Sequence, residues 1–225
     1  MTRPIALITG ATRGIGRAVV DQLAHDHHLL IGGRYAETVQ VLVDQLPSAA
    51  PFVADLGDPD ATEAACVGID RLDVVVHCAG IAEIGPLDDM TRQVWREVLE
   101  LDVTAVADLN RMLMPALRAA HGLVVAINSG AGLKANPDWG VYAAAKHALK
   151  AWADSLRAEE HGVVRVTSIH PGRVDTDMQR HVQGTGASYD GSKFLRPESV
   201  ARAVRFAVDA SEDAVVESLS IRPRG

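Results

Sequence analysis

Cysteine is scarce in this sequence: Cys66 and Cys78 are the only two. One falls in a helical pattern and the other closes an apolar run, so a disulfide framework is not expected and a reducing compartment is. Long apolar stretches are missing as well. None approaches the length that crosses a bilayer, and the opening MTRPIALITG enters a strand pattern without the apolar core and cleavage site of a secretory leader. A cytoplasmic chain with no membrane partner is the expectation. Basic residues are outnumbered, 22 Lys and Arg against 29 Asp and Glu, which gives a formal net charge of -7. That balance argues against nucleic acid as a partner and requires any bound anion to be held by local features. Linkers, internal repeats and low-complexity blocks are absent too. Nine histidines invite a metal reading, and His25, His27 and His28 are clustered. They lack matched carboxylate or cysteine spacing and lie where a helix gives way to a strand, so no metal is expected.

What is present is the patterning of a folded α/β chain. Apolar residues make up 48% and charged residues 23% of 225, enough for one substantial core and one domain over 1–225. Seven short apolar runs, IALIT, HLLIGG, PFVA, LDVVVHCAG, LVVAIN, VRVTSIH and VESLSI, alternate with helical patterns. Runs this short, apolar on both faces, fit central parallel strands covered from both sides. The spacing predicts a doubly wound, mostly parallel seven-stranded sheet with helices on both faces, a three-layer Rossmann-like domain. Helices are expected over 91–118, 142–159 and 197–208. The first two carry more apolar positions than one face uses, which points to a homodimer or homotetramer, or to core packing alone. The glycine- and serine-rich stretch 183–193 reads as a mobile substrate loop.

The first apolar run ends in Thr9, Gly10, Ala11, Thr12, Arg13, Gly14, Ile15 and Gly16. Glycines between a strand and a helix let the backbone turn tightly and approach a ligand, while the helix N-terminus offers free N–H groups to a pyrophosphate. The second run ends in Gly32, Gly33 and Arg34, with no carboxylate to bond a ribose hydroxyl. Arg34, with Arg13 from the other side, can pair with a 2'-phosphate instead. NADP(H) is therefore expected over NAD(H), unless both arginines are solvated surface charges. Asp55 and Leu56, after the third run, suit an adenine ring, although Asp55 equally suits the cap of the next helix. Ala79 and Gly80 let backbone pass close to the same ligand.

The stretch 128–150, NSGAGLKANPDWGVYAAAKHALK, carries the chemistry. On a helix Tyr142 and Lys146 are one turn apart and share a face. A tyrosine titrates near pH ~10 and needs a positive neighbour to release its proton near neutrality; Lys146 is placed to be that neighbour. Ser129 would hold a substrate oxygen, Tyr142 would exchange its proton and Lys146 would tune the exchange. Proton exchange on a carbon-bound oxygen accompanies hydride gain or loss at the carbon, and side chains do not carry hydride, so a hydride carrier is required. No GxSxG elbow surrounds Ser129, which argues against a hydrolase.

Thr9, Gly10, Gly14 and Gly16 as TGxxxGxG, followed in order and spacing by Ser129, Tyr142 and Lys146, resemble the short-chain dehydrogenase/reductase family over nearly the whole chain. The resemblance implies an NADP(H)-dependent oxidoreductase that interconverts a carbonyl and an alcohol on a small or medium-sized molecule. It also implies that Lys146 bonds the nicotinamide ribose and that Pro171, Gly172, Val174 and Thr176 flank the nicotinamide. A non-catalytic NADP(H)-binding sensor or scaffold on the same fold is the alternative. Substrate walls are expected from 81–87, 131–138 and 174–193. Two departures stand out. Where the family has NNAG, this chain has His77-Cys78-Ala79-Gly80, losing two amides that tie strands together. Where a helix asparagine completes the catalytic set, it has Asp102, whose charge is expected to raise the pKa of Lys146.

Overall fold

The computed structural model describes residues 3–183 and 189–224. Its strands are β1 (Ile5–Ile8), β2 (His28–Gly33), β3 (Ala49–Val53), β4 (Val74–His77), β5 (Leu123–Ile127), β6 (Arg165–Pro171) and β7 (Ser218–Ile221). They form one parallel sheet in the order β3-β2-β1-β4-β5-β6-β7. The helices are α1 (Gly14–Leu23), α2 (Ala36–Val43), α3 (Pro59–Cys66), α4 (Arg92–Leu99), α5 (Ala105–Ala120), α6 (Gly140–Glu159), α7 (Asp177–Gln183) and α8 (Pro197–Val208).

Alternation along each strand builds the two sides of the core. Ala6 and Ile8, Val74 and Val76, and Val125 point to the side covered by α1 and α8, where Val19, Leu23, Val200 and Val204 meet them. Leu7, Val75, Val124 and Val166 point to the other side, against Leu109, Leu113 and Leu117 of α5 and Ala153 and Leu156 of α6. Each leucine so buried stabilises the fold by about 1.5–3 kcal/mol relative to exposure. The central strands β4 and β5 are buried along their whole length, as the apolar runs require. β3 and β7 are the edges; Pro51 sits in β3, where a missing N–H is tolerated.

The sheet order explains where a ligand belongs. From β1 the chain winds outward through β2 to β3, then returns to place β4 on the other side of β1. The crevice between the two windings opens at the carboxyl ends of β1 and β4.

Several local expectations change. The helix read over 91–118 is interrupted by a wide π-type turn, Glu100–Thr104, that points Asp102 inward until it is 1% exposed. In α6, Ala143, Leu149 and Leu156 are buried within the chain itself, so much of the apparent surplus is core. Asp58, not Asp55, caps α3, its carboxylate accepting the N–H groups of Asp60 and Ala61. Asp55 folds back on the Gly57 N–H instead. Of the loop expected at 183–193, Gln183 ends α7 and Gly191–Lys193 form a 3-10 turn; residues 184–188 lie outside the described residues.

Candidate active site

At the mouth of the crevice the glycine loop is tied to the loop after β4. The Thr9 hydroxyl accepts the N–H groups of Cys78 and Ala79 at 3.0 and 3.1 Å. Gly10 has φ +60, and a side chain there would meet the Ala79 backbone at 3.0 Å. A methyl on Gly16 would lie 2.2 Å from the Gly10 carbonyl, so α1 springs from this turn only with glycine at that position. α1 opens with no side chain capping its N–H groups and no acid in its first turn. Its positive end is therefore left for an anion. Thr176 lies against Gly14, and Thr12 against Gly33. Arg34, exposed, stacks over the Tyr35 ring at 5.5 Å. Arg13, also exposed, has Nη1 3.8 Å from Asp177 of α7. Asp55 and Leu56 follow β3 at the same edge of the sheet. The uncapped helix end, the glycine cradle and the carboxylate-free end of β2 together fit a dinucleotide carrying an extra phosphate.

The chemical groups gather at the ends of β5 and α6. Ser129 leaves β5 in extended backbone, φ -157, with its N–H held by the Asn128 side-chain oxygen at 2.8 Å and its hydroxyl accepting the Ala131 N–H at 3.1 Å. Tyr142, in the first turn of α6, is 7% exposed, its ring edge-on to Trp139 at 5.8 Å. One turn on, the Lys146 ammonium lies 5.5 Å from the centre of the Tyr142 ring. Behind it, Asp102 meets Lys146 Nζ at 2.9 Å, while its other oxygen accepts the Ile81 N–H at 2.8 Å. Gly80 is needed there, because a Cβ would lie 2.9 Å from that same oxygen.

Burial decides the titration. It pushes the Tyr142 phenol above its ordinary value of 10.0; Lys146 pulls it down, Asp102 pushes it up and the Ser129 hydroxyl pulls it down. The expected lowering by Lys146 is real as a contribution, yet burial outweighs it. For Lys146 burial acts downward, but Asp102 and then Tyr142 favour the ammonium, and its pKa ends above 10.5. The upward effect expected of Asp102 is thus present.

His77 answers for the missing amides of the loop after β4. It is 2% exposed, its Nε2 is 3.4 Å from the Asn110 side-chain oxygen, and its ring stands edge-on to Trp152 at 6.0 Å. One side chain so joins β4 to α5 and α6. Burial drives its pKa down to about 4, so the ring is neutral at physiological pH.

One cleft of about 640 Å³ brings together Ile15, Ser129, Tyr142, Pro171, Gly172, Val174 and Thr176. Lys146 and Asp102 stand behind Tyr142 and do not line it; Gly10, Arg13, Arg34, Asp55, Leu56, Ala79 and Gly80 flank it along the sheet edge. Of the expected walls, the cleft uses Ala82, Lys134, Asn136 and Met178. Gln179, within the expected 174–193, also lines it, as do Asn128 and Arg222, which lie outside the expected walls. Arg222 lies just beyond the last strand, and the only sign of it in the sequence is a basic residue following the run VESLSI.

Comparison with known proteins gives a consistent picture. The model of a family described as short chain dehydrogenase matches residues 4–186. An uncharacterized short-chain type dehydrogenase/reductase of Sinorhizobium fredii is 31% identical over 98% of this chain and 92% of its own length. A glycine betaine reductase of Emericella nidulans is 29% identical over 98% of this chain, which spans 19% of that longer protein. Among solved structures, an alcohol dehydrogenase from Thermococcus sibiricus complexed with 5-hydroxy-NADP superposes with a TM-score of 0.90 at 26% identity, covering 99% of this chain and 97% of that one. A closed serine dehydrogenase complexed with NADP+ gives 0.87 at 25% identity, with 97% and 94% covered.

Proposed function

We propose that this chain, which belongs to the short-chain dehydrogenase/reductase family, is an NADP(H)-dependent oxidoreductase interconverting a carbonyl and an alcohol on a small or medium-sized organic molecule. The observation that carries the reading is Tyr142, lining the cleft beside Ser129 with the buried Lys146 and Asp102 pair behind it. Gly10, Thr12, Gly14, Ile15 and Gly16 would hold the pyrophosphate side of the cofactor, Asp55 and Leu56 the adenine, and Ala79 and Gly80 the strand between. Pro171, Gly172, Val174 and Thr176 would border the nicotinamide, with Tyr142 and Lys146 at its ribose. When bound, that group supplies or accepts the hydride. Preference for the 2'-phosphate is supported by Arg34 and Arg13, by the absence of a carboxylate at the end of β2, and by the NADP forms bound in the similar dehydrogenases.

The residues of the chain divide the remaining work. Ser129 donates a hydrogen bond to the substrate oxygen, fixing it within reach of the phenol. Burial keeps Tyr142 protonated at neutral pH, the form that serves as the acid when a carbonyl is reduced. Lys146, held charged by Asp102, stabilises the phenolate left after proton transfer. Its ammonium needs no access to solvent for this, only proximity. Tyr142→Phe tests the scheme. NADPH affinity by fluorescence titration should be unaltered while kcat falls by about 10³-fold; turnover close to wild type would refute proton transfer by Tyr142. A wild-type chain that binds NADPH and reduces none of a panel of ketones, aldehydes and quinones would be the non-catalytic sensor instead.

A further inference from the structure

Arg222 is built into the cleft in a way the reaction scheme does not use. Beyond β7 its side chain turns back across the ends of β6 and β5, where Nη1 donates to the carbonyls of His170 and Ile221. Glycines make room for it. A Cβ on Gly130 would lie 3.2 Å from Nη2, and one on Gly172 would lie 3.1 Å from Cδ. Gly130 directly follows Ser129, so the guanidinium rests beside the group that receives the substrate oxygen. His170 completes the clamp, with Nδ1 3.1 Å from the Ser129 carbonyl. A guanidinium has five N–H donors in a rigid fork. Here Nη1 is spent on backbone, and the Nε and Nη2 edge has no partner among the described residues.

The surroundings of that edge are cationic and rich in donors. Among the described residues the cleft is lined by Lys134, Arg173 and Arg222 and by no aspartate or glutamate, in a chain whose formal net charge is -7. Asn128 and Gln179 also border it, residues only 4% and 8% exposed. Both amide nitrogens are buried without a partner among the described residues. A buried donor left unpaired is destabilising, and an acceptor-bearing ligand would relieve it.

Resting on the proposed reduction at Tyr142, we infer that the substrate is an oxo acid or hydroxy acid whose carboxylate is bound by the Nε and Nη2 edge of Arg222. A carboxylate matches that edge as a planar two-point acceptor. The pyrophosphate side of the cofactor would have its own place at the N-terminus of α1, where Thr176 meets Gly14, whereas Arg222 lies against Gly130 and Gly172, so the free donors of Arg222 remain for the substrate.

The test pairs charged and neutral forms of one ligand: acetoacetate with methyl acetoacetate, and levulinate with methyl levulinate. Turnover with NADPH, and calorimetric titration of the NADP+ complex, are measured for wild type, Arg222→Met and Arg222→Lys. In wild type the acid of at least one pair should bind and react better than its ester. Arg222→Met should lower the acid-to-ester ratio by about 30-fold or more, through KM rather than kcat, with NADP+ affinity unchanged. Arg222→Lys, a point charge without the fork, should recover only part of the ratio. Equal losses on acid and ester, a loss of NADP+ affinity, preference of wild type for esters, or no acid binding at all would each overturn the inference. Selective acid binding that depends on Arg222, without turnover of any carbonyl, would uphold it while removing the catalytic reading on which it was framed.

Discussion

The two ends of the site keep their cations in opposite ways. Lys146 is 5% exposed and Asp102 1%, and the two meet at 2.9 Å inside the fold. Arg13 and Arg34, at the cofactor end, lie in solvent; one faces Asp177 at 3.8 Å and the other rests on Tyr35. A buried charge has lost its water, and its partner is what makes its ionised form tolerable. An exposed charge keeps most of its hydration, and its pairing contributes about 0–1 kcal/mol. In the proposed function, chemistry would be anchored at a buried pair whose loss disturbs the fold. Cofactor choice would rest on exposed arginines whose replacement leaves the fold alone.

The contrast breaks most visibly at Lys146. Lys146→Met leaves the Asp102 carboxylate buried without its partner and should destabilise the protein by about 3–5 kcal/mol, read from urea unfolding. Asp102→Asn introduced with it should restore most of that stability and none of the turnover. A single methionine variant as stable as wild type would mean that the pair is already solvated, and the comparison would fail. At the exposed end the effect should be smaller and confined to function. Arg34→Ala should lower the NADPH-to-NADH ratio of affinities by about tenfold, with no change in unfolding midpoint. Arg13→Ala, drawn partly toward Asp177, should lower it by only about twofold more. An unchanged ratio in the double variant would remove both arginines from 2'-phosphate recognition.

How much of this could be read from the sequence follows the same division. The strand runs announce their own burial, and all seven take their places in one sheet. The glycine turn was legible because close backbone approach admits no other residue, and Tyr142 with Lys146 because helical spacing is a local rule. Asp102 was legible only as a departure from a family pattern. Its partner is 44 positions away, and the π-type turn that aims it inward has no local motif of its own. Arg222 was invisible for a related reason: its meaning comes from Gly130 and Gly172, beyond the ends of β5 and β6, leaving space for it. The net direction at Tyr142 was also hidden, since burial is a property of the packed chain and it outweighs the neighbouring ammonium.

Asp102→Asn gives the finest separation of charge from structure. The amide keeps an oxygen for the Ile81 N–H and nearly the same volume, while the negative charge disappears. Asp102 pushes the Tyr142 pKa up, and Lys146, whose charge it partly offsets, pulls it down. Both consequences of removing the carboxylate have one sign, and the phenol should titrate at lower pH. Alcohol oxidation needs the phenolate and rises with pH through that pKa, so its rise should come at lower pH, with a gain of about a few-fold near neutrality. Carbonyl reduction needs the phenol, and its alkaline fall should begin earlier. Lys146 supplies an independent check on sign. Its folded-state pKa is raised, so its pairing contributes stability that is complete below its ordinary value of 10.5 and lost as pH rises through the folded value. The stability difference between wild type and Asp102→Asn should therefore be flat at neutral pH and shrink only in strong alkali. Rate profiles that stay in place, or move upward, would make Asp102 a purely structural acceptor for Ile81.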